Sequence, residues 1–134
     1  MNRAIRRRVR SRAEDRCEYC QLPQALAPLV GFHVEHIIAR QHGGADEFEN
    51  LCWSCHGCNL SKGPNLAGLD PETGRLVPLF HPRRQHWHRH FRWEGPVLVG
   101  RTRVGRVTIA VLDINRPQRI ELRRRLIAAG EFPA

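Results

Sequence analysis

Apolar residues recur every three or four positions at both ends of the chain, and this pattern predicts helices there. Ile5, Val9 and Ala13 form a narrow apolar stripe in residues 3–16, among arginines and acidic residues. Two further stripes lie in the last third: Val104, Val107, Ala110 and Val111, and then, after Pro117, Ile120, Leu122, Leu126 and Ile127. Proline suits the first turn of a helix. The pattern therefore predicts an N-terminal helix and a C-terminal helical pair.

The middle of the chain alternates short apolar runs with turn residues, which predicts strands. Residues 32–38 supply β-branched and aromatic residues for an extended segment. Residues 43–46 (Gly-Gly-Ala-Asp) form a turn, and residues 48–51 return toward the first strand. A short helix then ends at Gly63-Pro64. Beyond it, residues 75–80, 87–93 and 97–99 have the composition of short strands. The predicted fold class is α+β, with a β-rich middle.

The length and charge of the chain narrow its class and its partners. A chain of 134 residues suits a single domain spanning residues 1–134. Lys and Arg number 22 against 13 Asp and Glu, which gives a net charge of +9. The electrostatic field of such a positive charge attracts polyanions. No apolar run reaches the roughly 18 residues of a membrane span. The first eight residues include four arginines and are followed by no apolar segment, so we expect no secretory signal and a cytoplasmic location.

Five cysteines include two Cys-x-x-Cys pairs, Cys17/Cys20 and Cys55/Cys58. Two such turns can place four thiolates around one tetrahedral ion, so these pairs predict a structural zinc site. The alternatives are four ordinary buried cysteines or a redox pair, although a redox site needs a single pair in a βαβ context. A tetrahedral metal site needs only four ligands, so the fifth cysteine, Cys52, is interpreted as a buried apolar residue.

The segment between the two cysteine pairs carries candidate catalytic residues. In an extended strand, His33 and Glu35 lie on one face and His36 on the other, while Asn59 directly follows the last zinc cysteine. A carboxylate and an amide oxygen suit a hard cation such as Mg²⁺ or Mn²⁺. A histidine beside such an ion can act as general base on a water that attacks phosphorus.

These residues occur in a spaced pattern: His33-Val34-Glu35-His36-Ile37-Ile38, Gly43-Gly44, Asn50-Leu51 and Cys55-x-x-Cys58-Asn59-x-x-Lys62-Gly63. The pattern resembles the HNH endonucleases over about residues 16–63. Residues 64–134 would be a C-terminal extension, and its segment 70–80, with Trp87 and Phe91, resembles a tail of small stand-alone bacterial HNH proteins.

The resemblance implies a zinc-braced ββα-metal core, also called a His-Me finger. It implies that His36 is the general base and that Asn50 ties the hairpin loop and orients the base. Glu35 and Asn59 would hold a catalytic Mg²⁺ or Mn²⁺, and the four cysteines a structural Zn²⁺.

Several cationic residues are candidate contacts to nucleic acid. Arg40 and Lys62 lie within the motif, and Arg83 and Arg84 precede Trp87 and Phe91, a mixture that suits a nucleic-acid surface as well as it suits a solvated edge strand. His33 is either a packed neighbour of the active site or a further ligand or phosphate contact. The arginine runs 6–8 and 123–125 are expected to add affinity without sequence preference.

The sequence therefore predicts an endonuclease that hydrolyses DNA phosphodiesters, with RNA as an open alternative and a monomer or homodimer as the acting unit. One competing hypothesis is a non-catalytic zinc-ribbon module that binds nucleic acid. This hypothesis gives no role to the combination of Glu35, His36 and Asn59. Another is a zinc-stabilised protein-interaction domain, which does not need so many arginines.

Overall fold

The computed structural model describes residues 2–133, which form five α-helices, three short 3₁₀-helices and three two-stranded antiparallel sheets. In chain order the elements are α1 (Arg3–Arg12), β1 (Phe32–His36), β2 (Leu51–Cys55), α2 (His56–Lys62), β3 (Ala67–Leu69), β4 (Leu76–Pro78), α3 (Trp87–His90), β5 (Phe91–Glu94), β6 (Val97–Gly100), α4 (Arg103–Leu112) and α5 (Pro117–Ala128). The predicted α+β class, the N-terminal helix and the C-terminal helical pair are confirmed.

The β1–β2 hairpin and α2 form a ββα unit at the centre of the fold. The register pairs Phe32 with Cys55, Glu35 with Cys52 and His36 with Leu51. Every residue of β2 is buried, and α2 begins at the residue that follows it. The start of α2 therefore lies beside the first residues of β1, where the His56 amide donates to the Gly31 carbonyl. The last residue of α2, Lys62, donates to the Ile37 carbonyl just beyond the carboxyl end of β1.

Helix α1 packs on this hairpin mainly through arginines, because Val9 is its only fully buried residue. Asn2 caps the helix by accepting a hydrogen bond from the Ile5 amide. Arg12 donates to the carbonyls of Phe48 and Leu51, and its guanidinium lies 3.7 Å from the centre of the Phe48 ring. Part of the basic character of α1 is therefore used in packing.

The predicted strand over residues 87–93 is wrong in its first half, because residues 87–90 form α3 and only β5 is extended. The reason is a buried aromatic cluster. Phe91 is fully buried, and the Trp87 indole donates to the Tyr19 carbonyl at 2.8 Å. Trp87 is partly buried against the same core, and these contacts accompany the helical turn of residues 87–90.

Residues 70–74 form a turn that an ion pair fixes to α4. The side chain of Asp70 is fully buried, and Arg106 donates to its two oxygens at 3.0 and 2.9 Å. These hydrogen bonds hold the pKa of the Asp70 carboxyl well below its usual range. The pair joins the β3–β4 hairpin to the C-terminal helices.

Candidate metal centre and active site

The four paired cysteines converge in the interior of the fold. The sulfur atoms of Cys17, Cys20, Cys55 and Cys58 lie within 4.8 Å of one another, and those of Cys20 and Cys55 are 3.7 Å apart. Four sulfurs about 2.3 Å from a central zinc ion are about 3.8 Å apart in a tetrahedron. Among residues 2–133, no other group of three or more His, Cys, Asp or Glu side chains converges in this way. The four cysteines could therefore hold a metal ion.

Asp46 fixes the ring of His36, the last residue of β1. The Nε2 atom of His36 lies 2.7 Å from Oδ1 of Asp46, and Arg40 Nε donates to the same oxygen at 2.9 Å. Hydrogen bonds from Arg40 and His36 lower the pKa of the Asp46 carboxyl. Asp46 is a residue of this site that the sequence motif does not mark. Its position in the turn is the one indication of this role, because an acidic side chain in a turn can contact the strand that precedes it.

Asn50 closes the loop that carries Asp46. Its Oδ1 accepts from the Ile38 amide at 2.9 Å, and its Nδ2 donates to the carbonyls of Ile38 and Ala45, both at 2.9 Å. Gly44 permits this close approach, because a Cβ at that residue would lie 1.7 Å from the Ile38 carbonyl oxygen. The amide of Asn50 thus joins both ends of the loop beside His36.

Glu35 lies on the opposite face of β1 from His36 and is buried against α2. Its Oε1 is 3.0 Å from Lys62 Nζ, and the Cys52 thiol lies 3.6 Å from its Oε2. Burial raises the pKa of Glu35 to about 7, although the Lys62 charge opposes the shift. Lys62 is 2% exposed and also donates to the Ile37 carbonyl at 3.1 Å. The predicted phosphate contact of Lys62 is therefore corrected, since its ammonium is an internal partner of Glu35.

The two predicted ligands of a catalytic metal, Glu35 and Asn59, lie on adjacent elements. Asn59 is half-buried on α2, three residues before Lys62. Glu35 Oε1 lies close to the Lys62 ammonium but accepts no hydrogen bond of good geometry. A carboxylate and an amide oxygen fit a hard divalent cation by their chemistry. A cation at Glu35 would have to replace the contact with Lys62.

Residues 17–65 match the model of the HNH endonuclease family. The chain carries an HNH domain. The resemblance inferred from the sequence motif is thereby confirmed for the segment that contains the four cysteines, the hairpin and α2.

A curated relative aligns over a longer stretch that includes part of the extension. Septu protein PtuA of Bacillus mycoides (strain KBAB4) is 24% identical over 132 aligned positions, which cover 81% of this chain. The aligned region is 18% of that relative, so the chain spans about a fifth of its length. No solved structure matches the chain.

Two of the predicted nucleic-acid contacts, Arg40 in the HNH domain and Arg84 in the extension, lie on the surface. Arg40 is exposed beside Asp46, and Arg84 is exposed at a cleft of about 420 Å³ that Asn50 also lines. His33 is half-buried, and its Nε2 is 3.2 Å from Nδ1 of His56. No helix within residues 2–133 has the length and hydropathy of a membrane span.

Two other predicted contacts are corrected because their guanidinium groups are internal. Arg83 is paired with Glu18, and its side chain is only 13% exposed. Burial lowers the pKa of Arg83 to about 10. Arg123, in the second arginine run, is 2% exposed and bonds to backbone carbonyls. Neither residue is available to a phosphate.

Replacing Lys62 with methionine should destabilise the HNH domain by about 3–5 kcal/mol, because it leaves the Glu35 carboxylate buried without its partner. The measurement is equilibrium unfolding in denaturant. The matched control is the double variant Glu35→Gln, Lys62→Met, which removes both charges and should recover much of the loss. A Lys62→Met protein with unchanged stability and weakened DNA binding would instead restore the phosphate-contact prediction.

Proposed function

We propose that this HNH domain is an endonuclease that hydrolyses DNA phosphodiester bonds, with His36 as its general base. The observation that carries the proposal is the pair His36–Asp46, held at the end of β1 by a loop that Asn50 ties together. A histidine oriented by a carboxylate on a closed loop is a typical arrangement for proton transfer. The family match over residues 17–65 supports the same activity.

The contact with Asp46 determines which nitrogen of His36 can accept a proton. A carboxylate accepts hydrogen bonds, so the Nε2 atom that faces Asp46 at 2.7 Å carries the hydrogen. Nδ1 then holds the lone pair. In the proposed reaction Nδ1 takes a proton from the water that attacks phosphorus, and Asp46 stabilises the imidazolium that forms. The P–O bond to the leaving oxygen then breaks, and solvent protonates that oxygen.

We further propose that Glu35 and Asn59 hold a divalent ion, Mg²⁺ or Mn²⁺, once Lys62 withdraws from Glu35. Such an ion would neutralise charge on the phosphate and on the leaving oxygen. Cys17, Cys20, Cys55 and Cys58 hold a structural Zn²⁺ in this proposal. Thiolate ligands of this kind persist in a reducing compartment, which favours the cytoplasm.

DNA affinity should fall steeply with salt and vary little with sequence, because the proposed contacts of Arg40, Arg84 and the exposed arginines of α1 are to phosphates. A protein with six to ten such contacts loses roughly 10³–10⁵ in affinity between about 50 and 200 mM salt. Fluorescence anisotropy on two unrelated duplexes measures both effects. Arg7→Gln should reduce the salt slope by about 1. Binding that is flat across this salt range, or strong preference for one duplex, would contradict the prediction.

The alternative is a nucleic-acid-binding module without catalysis, and the closed Glu35–Lys62 pair favours it. The experiment that separates the two is incubation of the zinc-loaded protein with labelled duplex, nicked, branched and single-stranded DNA and with RNA. The proposal predicts cleavage of at least one DNA substrate in Mg²⁺ or Mn²⁺. Salt-sensitive binding without cleavage of any substrate would favour the binding module.

A further inference from the structure

The C-terminal helix α5 docks on the HNH domain with unusually little apolar burial. A surface helix normally docks by burying an apolar face. In α5 the one fully buried residue is Arg123, whereas Leu122 and Leu126 are only partly buried against the core. Other contacts must therefore hold much of this helix in place, and its arginines supply them.

Arg119 extends from the first turn of α5 to the four-cysteine cluster. Its Nη2 donates to the Cys58 sulfur at 2.9 Å and lies 3.8 Å from the Cys55 sulfur, while its Nη1 donates to the Leu112 carbonyl at 2.9 Å. Gly57 gives the guanidinium room, because a Cβ there would be 3.4 Å from Arg119 Cζ. Arg119 thus joins two metal-ligand candidates to the end of α4.

Arg123 lies one helical turn further along α5, behind Arg119. Its Nε donates to the Pro96 carbonyl at 2.7 Å, and its Nη2 donates to the Ile114 carbonyl at 3.0 Å. Both arginines line a cavity of about 310 Å³ together with Cys20 and Cys55. Arg119 and Arg123 therefore border the same space beside two of the cysteines.

The charges of the arginines and of a loaded cluster are complementary. Four thiolates around a divalent ion carry two net negative charges, which are costly to bury without compensation. Arg119 and Arg123 bring two positive charges, which would also be costly to bury alone. Hydrogen bonds that involve a charged group are roughly twice as strong as neutral ones.

We propose that Arg119, supported by Arg123 behind it, hydrogen-bonds the metal-bound thiolates of the four-cysteine centre and balances their charge. Docking of α5 depends on this pairing. Partners in contact with ligands typically contribute 10–100-fold to metal affinity. The metal then holds the C-terminal extension onto the HNH domain as well as stabilising the domain itself. This proposal concerns the metal centre and stands whether or not the domain cleaves DNA.

The test compares Arg119→Gln with Arg124→Gln as the matched control, since Arg124 is an exposed arginine of the same helix that pairs with Glu121. Both proteins are prepared with zinc. Competition with a chromophoric chelator measures zinc affinity, and hydrogen exchange measures protection of the α5 amides. Arg119→Gln should bind zinc 10–100-fold more weakly and lose α5 protection while β1 and β2 stay protected.

The control should behave as the parent in both measurements. Arg119→Lys keeps the charge but lacks the forked donor, so it should show a smaller loss of zinc affinity. It is the deciding variant if Arg119→Gln does not fold. Equal zinc affinity in the Arg119 variants and in Arg124→Gln would overturn the proposal. Full α5 protection in a variant that binds zinc weakly would overturn its docking part.

Discussion

Replacing Cys55 with serine should release the metal and unfold the HNH domain. Cys55 ends β2 and its sulfur lies 3.7 Å from that of Cys20, so its loss opens a tetrahedral site. A structural zinc ion can contribute on the order of 10 kcal/mol to folding. That figure is comparable to the entire stability of a typical domain, about 5–15 kcal/mol. Metal analysis and circular dichroism of the purified variant measure the two effects.

Cys52→Ala is the matched control, because Cys52 is also a buried cysteine of β2. Its thiol contacts Tyr19 and Glu35 rather than the other cysteines. This variant should keep one metal ion per chain and unfold cooperatively. If Cys55→Ser retains stoichiometric metal and full cooperativity, the four-cysteine centre is wrongly assigned.

Replacing His36 with alanine should lower DNA cleavage by roughly two to four orders of magnitude, the span expected when a positioned general base is removed. Metal content, stability and DNA affinity should hardly change, since His36 is neither a cysteine-site ligand nor one of the proposed phosphate contacts. Single-turnover cleavage, measured beside zinc content and anisotropy, separates these quantities. Imidazole in the buffer is expected to restore part of the rate.

His42→Ala is the control for His36→Ala, because His42 is an exposed histidine in the same loop. It should cleave at the parent rate. The cleavage rate of Asp46→Asn should lie between the rates of these two variants. Asparagine keeps a polar side chain at that position but provides no carboxylate to stabilise the imidazolium. A folded His36→Ala protein that cuts DNA at the parent rate would contradict the catalytic assignment.

The cysteine centre could be predicted from the sequence because each Cys-x-x-Cys turn presents its two sulfurs to one side, whatever the rest of the fold does. The helices at residues 3–12, 103–112 and 117–128 could be predicted for a similar reason, since periodicity is a local property. The opposite faces of Glu35 and His36 likewise follow from the period of a strand.

The placements of Lys62, Arg83 and Arg123 could not be predicted, because each has a partner distant in the sequence. Lys62 pairs with Glu35, 27 residues earlier, and Arg83 pairs with Glu18. A charged residue is usually solvated. The sequence gives no sign that tertiary packing will bury a particular lysine or arginine against a carboxylate. The strand predicted at Trp87 is wrong for the same reason, since the partner of its indole is the Tyr19 carbonyl, 68 residues earlier in the sequence.

The most direct test of the central claim is the initial rate of plasmid cleavage by the zinc-loaded protein as Mg²⁺ is added back after treatment with EDTA. The structural zinc content is checked before and after the treatment. We expect no cleavage in EDTA and a rate that rises and saturates with Mg²⁺ or Mn²⁺. Cleavage that EDTA leaves unchanged, or no cleavage in any divalent ion by a protein that binds the same plasmid, would contradict it.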